Sequence, residues 1–293
     1  MTGIIAADDA PLLIFGGPYS NLQATEALLA EARRLGIPAE RTICTGDVVA
    51  YGADPCGTVD AVRAAGIPVV MGNCEESLGT RSEDCGCGFA EGSACDALSA
   101  RWFAHADSLL DEERRAWMRA LPRRLDVTVG GRRLAVIHGS VRSINRFVFA
   151  STPETEKAAE LDAAGPDCDG VIGGHCGVPF TQVLADGRLW HNAGAIGMPA
   201  NDGTARVWYS LLRPEAGGIS VEQRPLEYDH ATAAARMQAA GLPEGYASAL
   251  ATGLWPSCDV LPPDECAERG KPLQAGTVFW PGPAAARSLA LSA

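Results

Sequence analysis

An α/β fold with a parallel sheet core is what this sequence predicts, and three observations predict it. Short apolar runs alternate with helical patterns through the first quarter of the chain. Those runs end in glycine followed by a polar residue, as strands do when they deliver side chains to one edge of an open sheet. The composition, 47% apolar and 20% charged over 293 residues, is that of an ordinary globular chain long enough to bury a proper core.

The elements follow in order. Pro11 to Gly17 (PLLIFGG) reads as a buried strand. Asn21 to Leu35 carries apolar residues at helical spacing, and Gly36 and Pro38 close it. Arg41 to Asp47 reads as a second buried strand, Thr58 to Ala65 as a short helix and Ile67 to Asn73 as a third strand. That β-α-β-α-β order implies parallel pairing. Residues 74–95 are rich in Gly, Cys and Glu, show no period and read as a loop. Helical patterns cover 94–110 and 111–121, the second stopping at Pro122. Arg124 to Val129 and Arg132 to His138 flank Gly130-Gly131 as a hairpin. A helix over 154–164 leads to another buried strand, Gly170 to His175. Residues 178–192 and 205–224 read as antiparallel strands, and 230–253 as one or two helices. The last 40 residues are Pro-rich and weakly patterned. The expected organisation is one domain over 1–229 with a helical and Pro-rich C-terminal extension, 230–293, packed on it.

Composition excludes several classes. A net charge of −12 argues against nucleic-acid binding, which needs basic surface. The N-terminus carries Asp8 and Asp9 and no basic segment ahead of an apolar run, so no secretory signal is expected. No apolar stretch reaches the ~18 residues of a membrane span. The expectation is a soluble cytoplasmic chain. Its ten cysteines are then expected as thiols rather than as a disulfide scaffold, and no CxxC…CxxC pair marks a zinc ribbon.

Four strand ends carry the chemistry: Gly46-Asp47, Gly72-Asn73, His138-Gly139 and Gly174-His175. Two oxygens and two imidazoles brought to one edge form a mixed donor set suited to zinc, manganese or iron.

The blocks GPYSNL (17–22), GDVVAYGADP (46–55), GNCEES (72–77), HGS (138–140), GGHCGVPF (173–180) and HNAGAIGMP (191–199) stand in a telling order. That order and spacing resemble the metallophosphoesterase (calcineurin-like phosphoesterase) superfamily, nearest its small bacterial and archaeal phosphodiesterase-type branch. The resemblance implies a four-layer α-β-β-α sandwich of two mixed sheets, with a two-metal site at the strand ends. It places one complete ligand set on Asp47, Asn73, His138 and His175. The other metal's ligands would fall on Gly17, Tyr19, the shared Asp47 and Gly177, so three of them are missing. The expected cofactor is therefore one divalent zinc, iron or manganese ion per chain, with a second only where cysteines rebuild the lost half.

Cys74 stands where the family carries a histidine acting on the leaving group, so it is a candidate catalytic residue. Cys74 and Cys176 each adjoin a ligand and are candidate thiolate ligands; the competing reading makes them small buried residues filling vacated volume. Cys85, Cys87 and Cys95 lie on the loop beyond Cys74. Tyr19, also a candidate catalytic residue, would either donate a hydrogen bond to a bound anion or plug the vacated site. Arg142, with Asn145 and Arg146, is a candidate oxyanion contact. Glu75 and His191 would support the ligands; His105, His230 and the remaining five cysteines read as structural. The expected function is a divergent metal-dependent hydrolase acting on a phosphorylated small molecule. The alternative is a non-hydrolytic metal- or metalloid-binding or thiol-redox protein on the same frame. A regulatory module without chemistry stands third.

Overall fold

Strand alternation sorts this chain into layers. The computed structural model describes residues 4–282. The first part runs β1 (Ile4–Ala7), β2 (Leu12–Phe15), α1 (Leu22–Arg34), β3 (Thr42–Cys44), α2 (Pro55–Ala65), α3 (Asn73–Thr80), α4 (Ala94–Leu109) and α5 (Glu112–Ala120). The middle holds β4 (Leu125–Val129), β5 (Arg132–Val136), α6 (Glu154–Ala164), β6 (Gly170–Gly173), β7 (Phe180–Val183) and β8 (Leu189–Asn192). The rest comprises β9 (Val207–Glu215), β10 (Gly218–Leu226), α7 (His230–Ala239), α8 (Glu244–Thr252), α9 (Pro263–Ala267) and β11 (Gly276–Pro281).

Among the described residues two mixed sheets form, in the orders β1-β4-β5-β6-β8-β7 and β11-β10-β9-β2-β3. Successive side chains on a strand point to opposite faces. In β2, Leu12 and Ile14 enter the core between the sheets, while Leu13 and Phe15 enter the core shared with the helices. In β5 and β6, Val136 and Ile172 join the inter-sheet core, while Ala135 and Val171 pack outward in the cluster that holds Leu161 of α6. Each sheet thus has an inner apolar face and an outer one covered by helices, which is the expected four-layer sandwich.

Three elements differ from the expectation. Ile67–Asn73 is not a full strand: it meets β3 at a single bridge, Cys44 to Val69. Pro68 has no N–H to extend the ladder, and Met71 N–H turns away to donate to Pro122 O at 2.8 Å. Residues 74–95 are not all loop, because α3 begins at Asn73. Its first turn carries Glu75 and Glu76, and Glu75 accepts from Gly72 N–H at 3.0 Å, so acidic residues stabilise a helix that lacks apolar periodicity. Short β1, parallel to β4, has no counterpart in the sequence reading. The weakly patterned C-terminal segment supplies β11, which pairs antiparallel with β10. The membrane reading is answered only in part: no described helix is long and apolar enough to cross a bilayer.

Candidate metal centre

Asp47, His138 and His175 stand just past strand ends and Asn73 opens α3; Asp47 and His175, like Tyr19, sit on turns the backbone tolerates poorly. Asp47 has φ +54°, His175 +62° and Tyr19 +51°, a left-handed region uncommon outside glycine. Gly46 is required for a second reason. A Cβ there would lie 2.7 Å from Gly72 N and 2.9 Å from His138 Nδ1, so only glycine lets these segments meet.

The geometry centres on one nitrogen. His138 Nε2 lies 3.2 Å from Asp47 Oδ2, 3.1 Å from Asn73 Oδ1 and 3.1 Å from His175 Nδ1. A single ring nitrogen holds at most one proton, so it cannot satisfy three electron-rich neighbours by hydrogen bonding. A shared cation satisfies all four atoms at once. Asp47, His138 and His175 form a ligating group whose atoms lie within 4.8 Å of one another. His138 Nδ1 is held 2.7 Å from Thr45 O, which directs Nε2 to the cluster. Burial, and then the charge of His138, push His175 down to about 3, so it presents a neutral imidazole. The donor set fits a divalent ion.

Glu75 ties the surrounding loops together. It is fully buried and accepts from Asp47 N–H at 2.7 Å, Gly72 N–H at 3.0 Å and Val49 N–H at 3.2 Å. Burial, and then the neighbouring Asp47 carboxylate, push it up to about 7. Asn73 is oriented by its own amide, which donates to Cys85 O at 2.9 Å. Asp47 Oδ1 accepts from Cys74 N–H at 3.2 Å, so the contribution of Cys74 to the ligand geometry comes from its backbone.

The group of Asp47, His138 and His175 includes no thiol, although Cys74 lies beside Asp47 and Asn73. Cys74 Sγ lies 3.5 Å from Asn73 Nδ2, and burial pushes its pKa well above the thiol range. Cys176 Sγ faces Val178 O at 3.5 Å and Asn192 Nδ2 at 3.2 Å, and burial pushes it up to about 12. Arg142 pairs with Glu160 of α6 at 3.2 Å, and Arg146 reaches Glu160 at the same distance. His191 bonds Thr181 rather than a ligand.

Tyr19 settles into the space its neighbours lack. A Cβ at Gly17 would lie 2.3 Å from Tyr19 Cζ, and one at Gly177 would lie 3.8 Å from the Tyr19 hydroxyl oxygen. The three positions that depart from the resembled ligand pattern are thus neighbours, occupied by one phenol. Burial, and then Asp47, raise the Tyr19 pKa well above its usual value, so the hydroxyl keeps its proton.

Two features escaped the sequence reading. Cys85 and Cys87 form a disulfide, and Cys87 Sγ lies 3.5 Å from Asn73 Nδ2. An apolar cleft with about 60 Å³ of accessible space opens beside His175 and Tyr19, walled in part by Tyr246, Trp255 and Val260 from the C-terminal segment. The six aromatic rings around it are scattered from residue 19 to 255, so no local pattern could announce it.

Residues 14–213 match the model of the calcineurin-like phosphoesterase superfamily domain. A metallophosphoesterase from Sphaerobacter thermophilus is 26% identical and superimposes with a TM-score of 0.64, covering 84% of this chain and 100% of that one. A hypothetical protein from Pyrococcus horikoshii shares the fold at 16% identity, with a TM-score of 0.69 over 84% and 99% of the two chains. An uncharacterized protein of Methanocaldococcus jannaschii is 23% identical over 252 residues, which is 80% of this chain and 95% of that protein.

Proposed function

The chain belongs to the calcineurin-like phosphoesterase superfamily, and from that premise we propose that it is a divergent phosphoester hydrolase working with one divalent ion. The observation that carries this reading is the convergence of Asp47, Asn73 and His175 on His138 Nε2. Those four residues would hold the ion, which when bound supplies Lewis-acid polarisation of a phosphoryl oxygen. A mononuclear site is supported by the Tyr19 phenol, which fills the volume between Gly17 and Gly177 where further ligands would stand. Tyr19 keeps its proton and lines the same cleft as His175, which supports a role in which it would donate a hydrogen bond to a phosphoryl oxygen. Thr45 O holds the His138 ring, and Glu75 holds the backbone of Asp47, so the ligands need no rearrangement on substrate arrival. The substrate class is a phosphorylated small molecule.

The test combines elemental analysis with hydrolysis of p-nitrophenyl phosphate and its bis-ester. About one zinc, iron or manganese per chain is expected, with turnover lowered at least ~100-fold in His175→Ala. No hydrolysis at full metal occupancy would overturn the reading. A second reading, thiol-redox chemistry on the same frame, is favoured by one observation, the Cys85–Cys87 disulfide against Asn73. Retained redox cycling of that pair in the absence of any hydrolysis would select it.

A further inference from the structure

We infer that the cleft beside His175 is a specificity pocket for one uncharged aromatic group, so the substrate is an aryl-type phosphoester. This deepens the proposed function and rests on it. Three observations carry it.

The first is position. The cleft is lined by both His175 and Tyr19, so an organic group seated in it would hold its phosphate against the ligand cluster. The cleft is narrow, with about 60 Å³ of accessible space, which suits one flat group rather than a bulky one.

The second is chemistry. Apart from His175, no residue lining the cleft carries a titratable base or a carboxylate. A second phosphate would have no counter-charge, and a polyol would leave most of its hydroxyls unpaired. The walls are instead flat rings and small apolar groups. Tyr51 packs edge-on to Tyr19 at 5.0 Å and lies 4.8 Å from Tyr246. Phe147 stacks on the His175 ring at 4.1 Å and 29°. An aromatic guest adds to these pairs, which favour ring-to-ring contact beyond simple burial.

The third is construction. Trp255 is fixed at both ends, its indole N–H donating to Pro199 O at 2.6 Å and its backbone N–H to Asn201 Oδ1 at 2.8 Å. Its ring edge would lie 3.4 Å from a Cβ at Gly177, so it closes over the position that lacks a ligand side chain. Tyr246, Trp255 and Val260 all follow residue 213, beyond the segment matching the family. The wall that would select the organic group therefore lies outside the matched family segment.

The experiment measures equilibrium binding of three non-hydrolysable probes to the zinc-loaded full chain: phenylphosphonate, butylphosphonate and methylphosphonate. Phenylphosphonate is expected to bind at least ~10-fold more tightly than either of the others, since a buried ring adds apolar area and stacking. Trp255→Ala and Phe89→Ala, both at partly exposed wall positions, are expected to bring the phenyl preference to within ~3-fold. Unchanged methylphosphonate affinity reports that each variant is folded with its metal cluster intact. Equal binding of all three probes by the wild type, or a phenyl preference untouched in both variants, would overturn the pocket and leave the phosphoesterase reading standing. Butylphosphonate matching phenylphosphonate would overturn its aromatic selectivity. Failure of every phosphonate to bind would overturn both readings.

Discussion

Replacing Glu75 by Gln tests whether the ligand turns are held by one carboxylate. In the folded chain Glu75 Oε2 accepts two backbone N–H groups, from Asp47 at 2.7 Å and Gly72 at 3.0 Å, and Oε1 accepts one from Val49 at 3.2 Å. Gln keeps the shape but exchanges one acceptor for a donor. Its best orientation leaves the carbonyl on the Asp47 and Gly72 side and turns the amide toward Val49 N–H, donor against donor. One hydrogen bond to a charged group is lost, about 1.5–3 kcal/mol, and a buried N–H is left unpaired. Glu75→Ala loses three such bonds and opens a cavity, about 5 kcal/mol or more. That is a large share of a typical domain's stability, so Gln is the informative variant. The assay is urea unfolding of metal-free protein at about pH 8, above the value of about 7 to which burial and Asp47 push Glu75, followed by zinc titration. Neutral Gln also escapes the burial and Asp47 repulsion that push Glu75 up to about 7, which offsets much of that loss, so stability should fall by no more than about 1–2 kcal/mol while zinc binding weakens by roughly 10–100-fold, because the residues positioning ligands shift with it. A Gln variant within about 0.5 kcal/mol of wild type, with unchanged zinc affinity, would refute the reasoning.

Two further outcomes are expected. Tyr19→Phe should keep stability within about 1 kcal/mol while lowering phosphoester turnover, whereas Tyr19→Ala should cost about 3–5 kcal/mol, because the ring fills the space over Gly17; thermal unfolding of both variants checks this, and equal losses would place the role of Tyr19 in its hydroxyl. His191 is buried and pushed down to about 3 by that burial, so the unfolded chain takes up its proton from about pH 6.5 downward while the folded chain does not. Its contribution is full above about pH 6.5 and is lost at up to about 1.4 kcal/mol per pH unit as pH falls toward the folded value. His191→Gln should flatten the stability profile between about pH 6.5 and 4.5 by that amount, and parallel urea profiles for wild type and variant would sink the assignment.

Two of the candidate ligand positions, Asp47 and His175, were legible because each is coded locally. An apolar run, a glycine and then a polar residue is a strand reaching its end at a tight turn, and Asp47 and His175 adopt the left-handed backbone such turns impose. The helices α1, α4, α5 and α6 were legible for the same reason, a period held within one segment. What failed was non-local or aperiodic. The residues of α3, NCEESLGT, have no apolar stripe, and their helix rests on Glu75 reaching back to Gly72. Pro68 sits inside an apolar run that otherwise reads as a strand. The guanidinium of Arg142 follows a histidine turn in sequence, yet Glu160 from a later helix captures it. The aromatic cleft joins residues as distant as Tyr19 and Trp255, and only tertiary packing brings them together.

The departures from the two-metal pattern make one arrangement rather than three losses. Tyr19 needs Gly17, because any side chain there collides with its ring at 2.3 Å. Gly177 leaves room on the other side, where both the Tyr19 hydroxyl and the Trp255 ring come within 4 Å of a Cβ. Restoring a carboxylate at 17 alone would displace the phenol before it could reach an ion. Restoring an imidazole at 177 alone would press on the indole that walls the cleft. Each small residue is thus matched to a large neighbour, and those neighbours line the space where a substrate would sit. Where the resembled pattern would set further metal ligands, this chain carries aromatic surface that lines the cleft.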